Sequence, residues 1–252
     1  MGIAREPFRL RVFAPVPELF LRRLPSIVLV FGLSQLPRLV AFLVDPERPP
    51  GLGYHDHWYA MIVDLLVSTS PNALAVLASM ALEALGVAVI LLSVLSDLEG
   101  ERVSLAHSAR RGLARFGPVL LTGVFVTAMF VFGTVSYVVP GLFALGYFWL
   151  AVPSCVAERV SPFRALGRSG ELSAGAVPHM MALALVTFVL PFGLEVLVAS
   201  ALRTSPGAAF ALIVAVRVVF GGLAAVGVAV SYRELRRIKD DVDGRALVRA
   251  FE

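Results

Sequence analysis

Six stretches of about 17–25 mostly apolar residues constrain this chain more than any other feature of its sequence. Crossing a bilayer core of about 30 Å takes about 20 helical residues, because every backbone amide must find its partner within the helix. The pattern predicts an all-α fold, a polytopic transmembrane helical bundle of about six spans. The predicted spans are Ser26–Val44, Asn72–Ser96, Gly117–Val139, Gly141–Ala157, Pro178–Ala201 and Gly207–Ser231.

Composition excludes a typical soluble enzyme. Apolar residues make up 58% of the chain before its 21 glycines are counted, and only 16% of the residues are charged. Such a chain cannot cover a soluble domain of its size with a charged surface. Its single cysteine, Cys155, allows no internal disulfide and no cysteine-based zinc site.

The third and fourth spans are separated only by Pro140-Gly141. This dipeptide is typical of tight turns. We therefore expect Pro140 and Gly141 to form the turn of an antiparallel helical hairpin.

The basic residues predict the orientation of the spans. Eighteen of the 22 lysines and arginines lie in segments that alternating spans place on one side of the membrane. Short loops rich in arginine stay on the cytoplasmic side. We expect a bacterial cytoplasmic (inner) membrane protein with both termini cytoplasmic. It would comprise a basic N-terminal segment (1–25), a six-span domain (26–239) and a C-terminal tail (240–252).

Two cytoplasmic connections have the pattern of short amphipathic interfacial helices. Ser161-Pro162 is typical of a helix start, with the serine as N-cap, and Gly175 is typical of a helix end. The connection that precedes the third span alternates apolar and basic residues in the same way. We expect these segments and the C-terminal end to bind the anionic headgroups of membrane lipids, and we expect no nucleic acid partner. The predicted headgroup-binding residues are Arg110, Arg111, Arg164, Arg168, Arg236 and Arg237.

Four ionisable residues fall inside the predicted spans: Arg38, Glu83, Glu195 and Arg217. An unpaired charge in the bilayer core costs at least about 2.5 kcal/mol, so these side chains should face the protein interior and pair. Ser34 and Gln35 share a face with Arg38. Two interpretations remain open: a polar seam for a substrate, ion or headgroup, or ion pairs that fix helix register. We expect Glu83 to pair with Arg217.

Prolines interrupt three spans, at Pro37, Pro153 and Pro191. Carbonyls freed near a buried carboxylate can coordinate a cation, as in transporters with discontinuous helices. The simpler interpretation is a packing kink, since proline is well tolerated in membrane helices. His55 and His57 supply only part of a metal site, so we expect solvated loop residues and no bound metal.

The stretch from Pro140 to Gly175 resembles the bacterial glycerophosphoryl diester phosphodiesterase membrane-domain and YciC-like integral membrane families. The resemblance depends on Pro140-Gly141, Pro153, Glu158, Ser161-Pro162, Ala165-Leu166, Arg168-Ser169, Glu171-Leu172 and Gly175, and on Tyr232 to Arg236. It implies a multi-pass membrane fold without the separate catalytic domain that gives the phosphodiesterases their name. This sequence departs from the pattern at Gly170, where a large aromatic residue is common, and at Ala174, where a basic residue is common.

These observations predict a non-enzymatic multi-pass membrane protein without a cofactor, because no catalytic constellation is visible. The preferred function is a lipid-interacting membrane scaffold or partner-docking protein. The alternative is a small transporter or permease-like subunit that uses Glu83, Glu195 and Arg217. A protein partner or a homo-oligomer is compatible with either function, and the sequence specifies neither.

Overall fold

The computed structural model describes residues 10–44, 71–101, 103–136, 138–202 and 204–251. Within these ranges every regular element is helical. A short 3-10 helix comes first and a π-helical turn precedes α10. The elements are Leu10–Phe13 (3-10), α1 (Val16–Ser34), α2 (Leu36–Val44), α3 (Pro71–Leu98), α4 (Leu105–Ala114), α5 (Phe116–Ser136), α6 (Val138–Phe148), α7 (Ala151–Ala157), α8 (Pro162–Ser173), α9 (Val177–Ala184), the π turn Leu185–Val189, α10 (Leu190–Ala201) and α11 (Pro206–Phe251).

Four helical segments in the described ranges are long and apolar enough to cross a bilayer: Leu74–Leu98, Val139–Ala157, Val177–Ala201 and Pro206–Asp240. Two bent pairs satisfy the same criterion when each pair is taken together. The angle is 44° between α1 and α2, and 71° between α4 and the first part of α5. The predicted all-α polytopic bundle is confirmed, with four to six helices suited to span a membrane.

Helix α11 lies at the centre of the packing and contacts α1, α3 and α10. Ile27 and Phe31 of α1 pack where α11 carries glycine, and a Cβ on Gly221 would lie 2.7 Å from the Phe31 ring. Small residues let membrane helices approach closely, and dispersion contacts then hold them together. Large apolar side chains also point outward, and Phe132 is 76% exposed. Such a surface suits contact with acyl chains.

The turn predicted at Pro140-Gly141 is wrong in position. Helix α5 ends at Ser136 and α6 begins at Val138, so both residues lie in the first turn of α6. Proline fits there because first-turn amides have no partner within the helix. A Cβ on Gly133 would lie only 2.8 Å from Gly141 Cα. The two helices do form a tight hairpin, and Gly141 serves their close approach instead of the turn.

Two of the three span prolines lie at irregularities of the helices. Pro37 lacks the amide that would bond to the carbonyl of Leu33, and the chain bends by 44° there. Pro191 is the second residue of α10, which begins directly after the π-helical turn Leu185–Val189. Pro153 lies in the first turn of α7, where its missing amide disrupts nothing.

The first and last helices extend beyond the predicted domain limits. Helix α1 begins at Val16, within the predicted segment 1–25, and Val16 is buried. Helix α11 continues to Phe251, so the backbone of the predicted tail is helical to that residue. Leu235, beyond the predicted end of the last span, is also buried. The predicted limits at 25 and 240 fall inside α1 and α11, and core packing extends to Val16 before the first apolar stretch and to Leu235 after the last.

The predicted interfacial helix after Ser161 is present as α8. Pro162 occupies its first turn, and Gly175 beyond its end has φ +86°, which glycine adopts without strain. Ser161 is the N-cap residue by position, but its side chain makes no capping bond. Ala165 and Leu172 are fully buried, so one face of α8 packs on the bundle.

Candidate functional site

Three of the four ionisable residues predicted inside the spans form one ion cluster. Arg217 of α11 donates from Nη2 to Oε2 of Glu195 on α10 at 2.6 Å. Its Nη1 lies 3.5 Å from Oε1 of Glu83 on α3. The structure therefore contains the predicted pair of Glu83 and Arg217. Glu195 is the closer partner, and one guanidinium bridges two carboxylates from separate helices.

Gln35 connects this cluster to the bent first span. Its Nε2 donates to Glu83 Oε1 at 2.7 Å and to Ser34 Oγ at 3.0 Å. Gln35 lies at the junction of α1 and α2 and is 3% exposed. A signal for this contact was present in the sequence, since Gln35 shares a face with Arg38 beside the helix-bending Pro37. The pattern did not identify Glu83 as its acceptor.

Arg38 belongs to the same region but forms no ion pair among the described residues. It is 3% exposed, and its Nε has no hydrogen-bond partner there. Its charge lies within electrostatic range of Arg217, Glu83 and Glu195. Arg217 Nε and Gln35 Oε1 are also buried without a partner in the described structure. With Arg38 included, the four charges of this region sum to zero, but its hydrogen-bonding capacity is not exhausted.

The cluster can do two things chemically. It holds α2, α3, α10 and α11 in a fixed register, because displacing any one of them exposes a charge to acyl chains. Its unpartnered donors and acceptor can also bind water or a small ion. The hydroxyl of Ser34, which accepts from Gln35, donates to the carbonyl of Phe31 at 2.7 Å.

A second polar network lies where α7, α8 and α11 meet at one end of the bundle. Arg168 donates to Glu158 Oε1 at 3.2 Å and to Asp240 Oδ1 at 2.7 Å. The hydroxyl of the buried Tyr232 donates to the same Glu158 oxygen at 2.9 Å. Burial alone would lower the pKa of the Arg168 guanidinium, but the hydrogen bonds to Asp240 and Glu158 outweigh burial and raise it above its ordinary value.

Half of the arginines predicted to bind headgroups form ion pairs within the protein. Asp240 accepts a hydrogen bond from Arg236 at 3.1 Å in addition to that from Arg168. Glu234 accepts from Arg237 at 2.8 Å. These three guanidiniums are committed to the protein's own carboxylates. The remaining predicted residues have no acidic partner in the described part of the chain: Arg110, Arg111 and Arg164.

Two further tertiary contacts at this end have no signal in the sequence. Asp97, at the end of α3, accepts from Nε of Arg23 on α1 at 2.6 Å, and its side chain is 4% exposed. Ser169 of α8 accepts from the amide of Leu150 at 3.1 Å and donates to the carbonyl of Tyr147 at 2.9 Å. Ser169 thereby satisfies backbone groups at the break between α6 and α7.

The position of Tyr147 explains why residue 170 is a glycine in this chain. A Cβ on Gly170 would lie 2.5 Å from the Tyr147 hydroxyl oxygen. The space that a large side chain at position 170 would need is occupied by the tyrosine of α6. Ala174, the other departure from the resemblance, is exposed, and its carbonyl accepts a hydrogen bond from Lys239 Nζ at 3.0 Å.

The described residues contain no group of three or more histidine, cysteine, aspartate or glutamate side chains placed to hold a metal ion. Cys155 is fully buried. The loop histidines His55 and His57 lie outside the described residues.

Scans against protein-family models, curated proteins and solved structures find no match to this chain. The resemblance to the phosphodiesterase membrane-domain and YciC-like families therefore stays a prediction. The structure is an apolar helical bundle with an ion cluster between its helices and an arginine-rich end.

Proposed function

We propose that this protein is a non-enzymatic, lipid-interacting scaffold of the bacterial inner membrane, with its arginine-rich end facing the cytoplasm. That end binds the headgroups of anionic lipids and anchors the bundle in a leaflet of negative surface charge. Each arginine near such a surface contributes about 1 kcal/mol of attraction.

The single observation that carries this proposal is a surplus of unpaired arginines at one end. The ion pair of Arg23 with Asp97 joins α1 to the last turn of α3, and that of Arg168 with Asp240 joins α8 to α11. Several arginines of this end have no acidic partner among the described residues: Arg22, Arg110, Arg111, Arg115, Arg159, Arg164 and Arg233. An external anion is the partner that would neutralise them.

The ion pairs define which arginines to change. We expect the triple variant Arg110→Gln, Arg164→Gln, Arg233→Gln to lose anionic lipid, because these exposed guanidiniums have no internal partner. If each arginine strengthens binding of an anionic lipid by about fivefold, the loss of three should lower the retention of phosphatidylglycerol relative to phosphatidylcholine by more than about tenfold. Native mass spectrometry of protein purified from mixed vesicles measures that ratio.

The matched control removes an ion pair and leaves the net charge unchanged. In the double variant Glu234→Gln, Arg237→Gln, both partners of an exposed pair are replaced, so lipid retention should equal that of the wild type. Equal retention by the triple variant and the wild type would show that the unpaired arginines do not hold anionic lipids.

A second candidate, transport through the ion cluster, is favoured by the buried and unpartnered Nε of Arg38. If Glu83 and Glu195 carry a proton or cation, vesicles loaded with a pH-sensitive dye should acidify faster with the wild type than with Glu83→Gln, Glu195→Gln under an imposed potential. Rates equal to those of protein-free vesicles would eliminate proton movement by this route.

A further inference from the structure

We propose that a cavity between α3, α4 and α7 is a binding site for a phosphate group that carries an apolar chain. The inference deepens the proposed lipid function and depends on it. It assigns a specific lipid site to one place at the arginine-rich end.

The cavity combines three basic side chains with an apolar wall. It has a volume of about 350 Å³ and is lined by Leu92, Arg111, Ala114, Arg115, Val156, Ala157 and Arg159. Its lining contains no acidic side chain. None of the three arginines forms an ion pair with a described residue, although acids elsewhere at this end are taken by other arginines.

The backbone of Arg159 supplies an independent observation. Arg159 follows Glu158, the C-terminal cap of α7, and has φ +55°. It is the only residue other than glycine with positive φ in the described ranges. Glycine is the usual residue at such a position, since side chains are strained there. Here an arginine occupies the position and lines the cavity.

The chemistry of the lining selects the ligand. Guanidinium groups present planar pairs of N–H donors that match the oxygens of a phosphate, and three of them exceed the charge of one phosphodiester. Leu92 and Val156 offer nothing to a hydrated inorganic ion but can contact a hydrocarbon chain. A phosphate with an attached chain, as in an anionic glycerolipid, satisfies both parts of the lining.

Arg159→Gly is the decisive variant, because it removes a cavity guanidinium and also relieves the strained backbone. The fold should be at least as stable as that of the wild type in thermal unfolding. Binding of short-chain phosphatidic acid to the detergent-solubilised full chain should weaken by about fivefold. Arg111→Gln, Arg115→Gln should weaken it further. The double variant Glu234→Gln, Arg237→Gln serves as the matched control, since Arg237 pairs with Glu234 and lies outside the cavity lining.

The outcomes separate this inference from the proposed function. Weaker binding by Arg159→Gly and unchanged binding by Glu234→Gln, Arg237→Gln support the cavity site. Equal effects of the two variants overturn the cavity site, while a general preference for anionic lipid in the wild type would still support the scaffold. Inorganic phosphate and glycerol phosphate should displace the bound lipid only at higher concentrations than a competing short-chain lipid does. Displacement by all three at the same concentration would overturn the requirement for an apolar chain.

Discussion

Arg217 is the residue on which the ion cluster depends. Its guanidinium contacts carboxylates on α3 and α10, so one side chain joins α11 to both helices. A buried carboxylate left without its cation is costly, because neither acyl chains nor apolar side chains can solvate it.

Arg217→Gln should destabilise the protein more than Glu83→Gln. The arginine variant removes the ion-pair partner of two carboxylates, and breaking a buried pair costs about 3 kcal/mol or more. The glutamate variant keeps the 2.6 Å bond between Arg217 and Glu195. The fraction of monodisperse protein in mild detergent after stepwise heating ranks the variants. The reverse ranking would place the main stabilising contact at Glu83.

Charge reversal tests the geometry of the same pair. Glu83→Arg and Arg217→Glu should each lower the yield of folded protein, and the double reversal should recover part of it. Recovery should stay incomplete, because Glu195 would then face a second carboxylate across the short contact that it now makes with the arginine. Complete recovery would mean that Glu195 contributes little.

Among the helices, the α5–α6 hairpin depends on backbone contact between glycines. No flexible side chain separates Gly133 from Gly141, so a methyl group at position 133 has no room. A contact of this kind cannot be relieved by a rotamer change, and the helices would have to move apart.

Gly133→Ala should therefore destabilise the fold by about 1–3 kcal/mol, as expected for overpacking. Gly123→Ala on the same helix is the control, because a Cβ there meets nothing within 4 Å. That variant should be neutral or stabilising, since alanine favours helix. Thermal unfolding in detergent distinguishes the two, and equal midpoints would contradict the close contact.

Gly170→Phe should fail to pack beside Tyr147, and Tyr147→Ala in the same chain should restore folding. The reason is that the two side chains would compete for one volume between α6 and α8. Tyr147→Ala alone serves as the control for the loss of the ring. Folding of Gly170→Phe with wild-type stability would contradict the assigned position of Tyr147.

The sequence predicted what local physics determines and missed what tertiary packing determines. Apolar stretches predict spans because the solvation of each stretch depends on its own composition. Glu83 and Arg217 could be paired since a charge in the membrane requires a partner. The sequence could not identify Glu195 as the closer partner of Arg217, or Arg23 as the partner of Asp97. Both contacts depend on how the helices rotate against one another. Proline is common both in the turn between two helices and in the first turn of a helix, so the sequence alone could not distinguish these positions for Pro140.

For the bundle as a unit, the contacts of the arginine-rich end predict the topology of the chain. Residues of α1, α3, α7, α8 and α11 meet there, so the connection between α10 and α11 lies at the far end of both helices. Because Cys155 is fully buried, we expect the native thiol to react little with water-soluble reagents.

Arg164→Cys and Ser205→Cys should consequently label from opposite sides of the membrane. An impermeant maleimide applied to intact cells should modify Ser205→Cys, and applied to inverted vesicles it should modify Arg164→Cys. The wild type, with Cys155 alone, provides the background. Labelling of both variants from the same side would contradict their placement at opposite ends of the bundle, and labelling of each from the other side would contradict the proposed orientation.

Helix α11 runs without interruption from the ion cluster at Arg217 to Asp240. At 1.5 Å per residue, that distance is about 35 Å of stiff helix. One degree of tilt about Arg217 displaces Asp240 by about 0.6 Å, so a tilt of a few degrees is enough to separate it from Arg168. The ion pair between Arg168 and Asp240 should therefore break when α11 changes its angle at the level of Arg217.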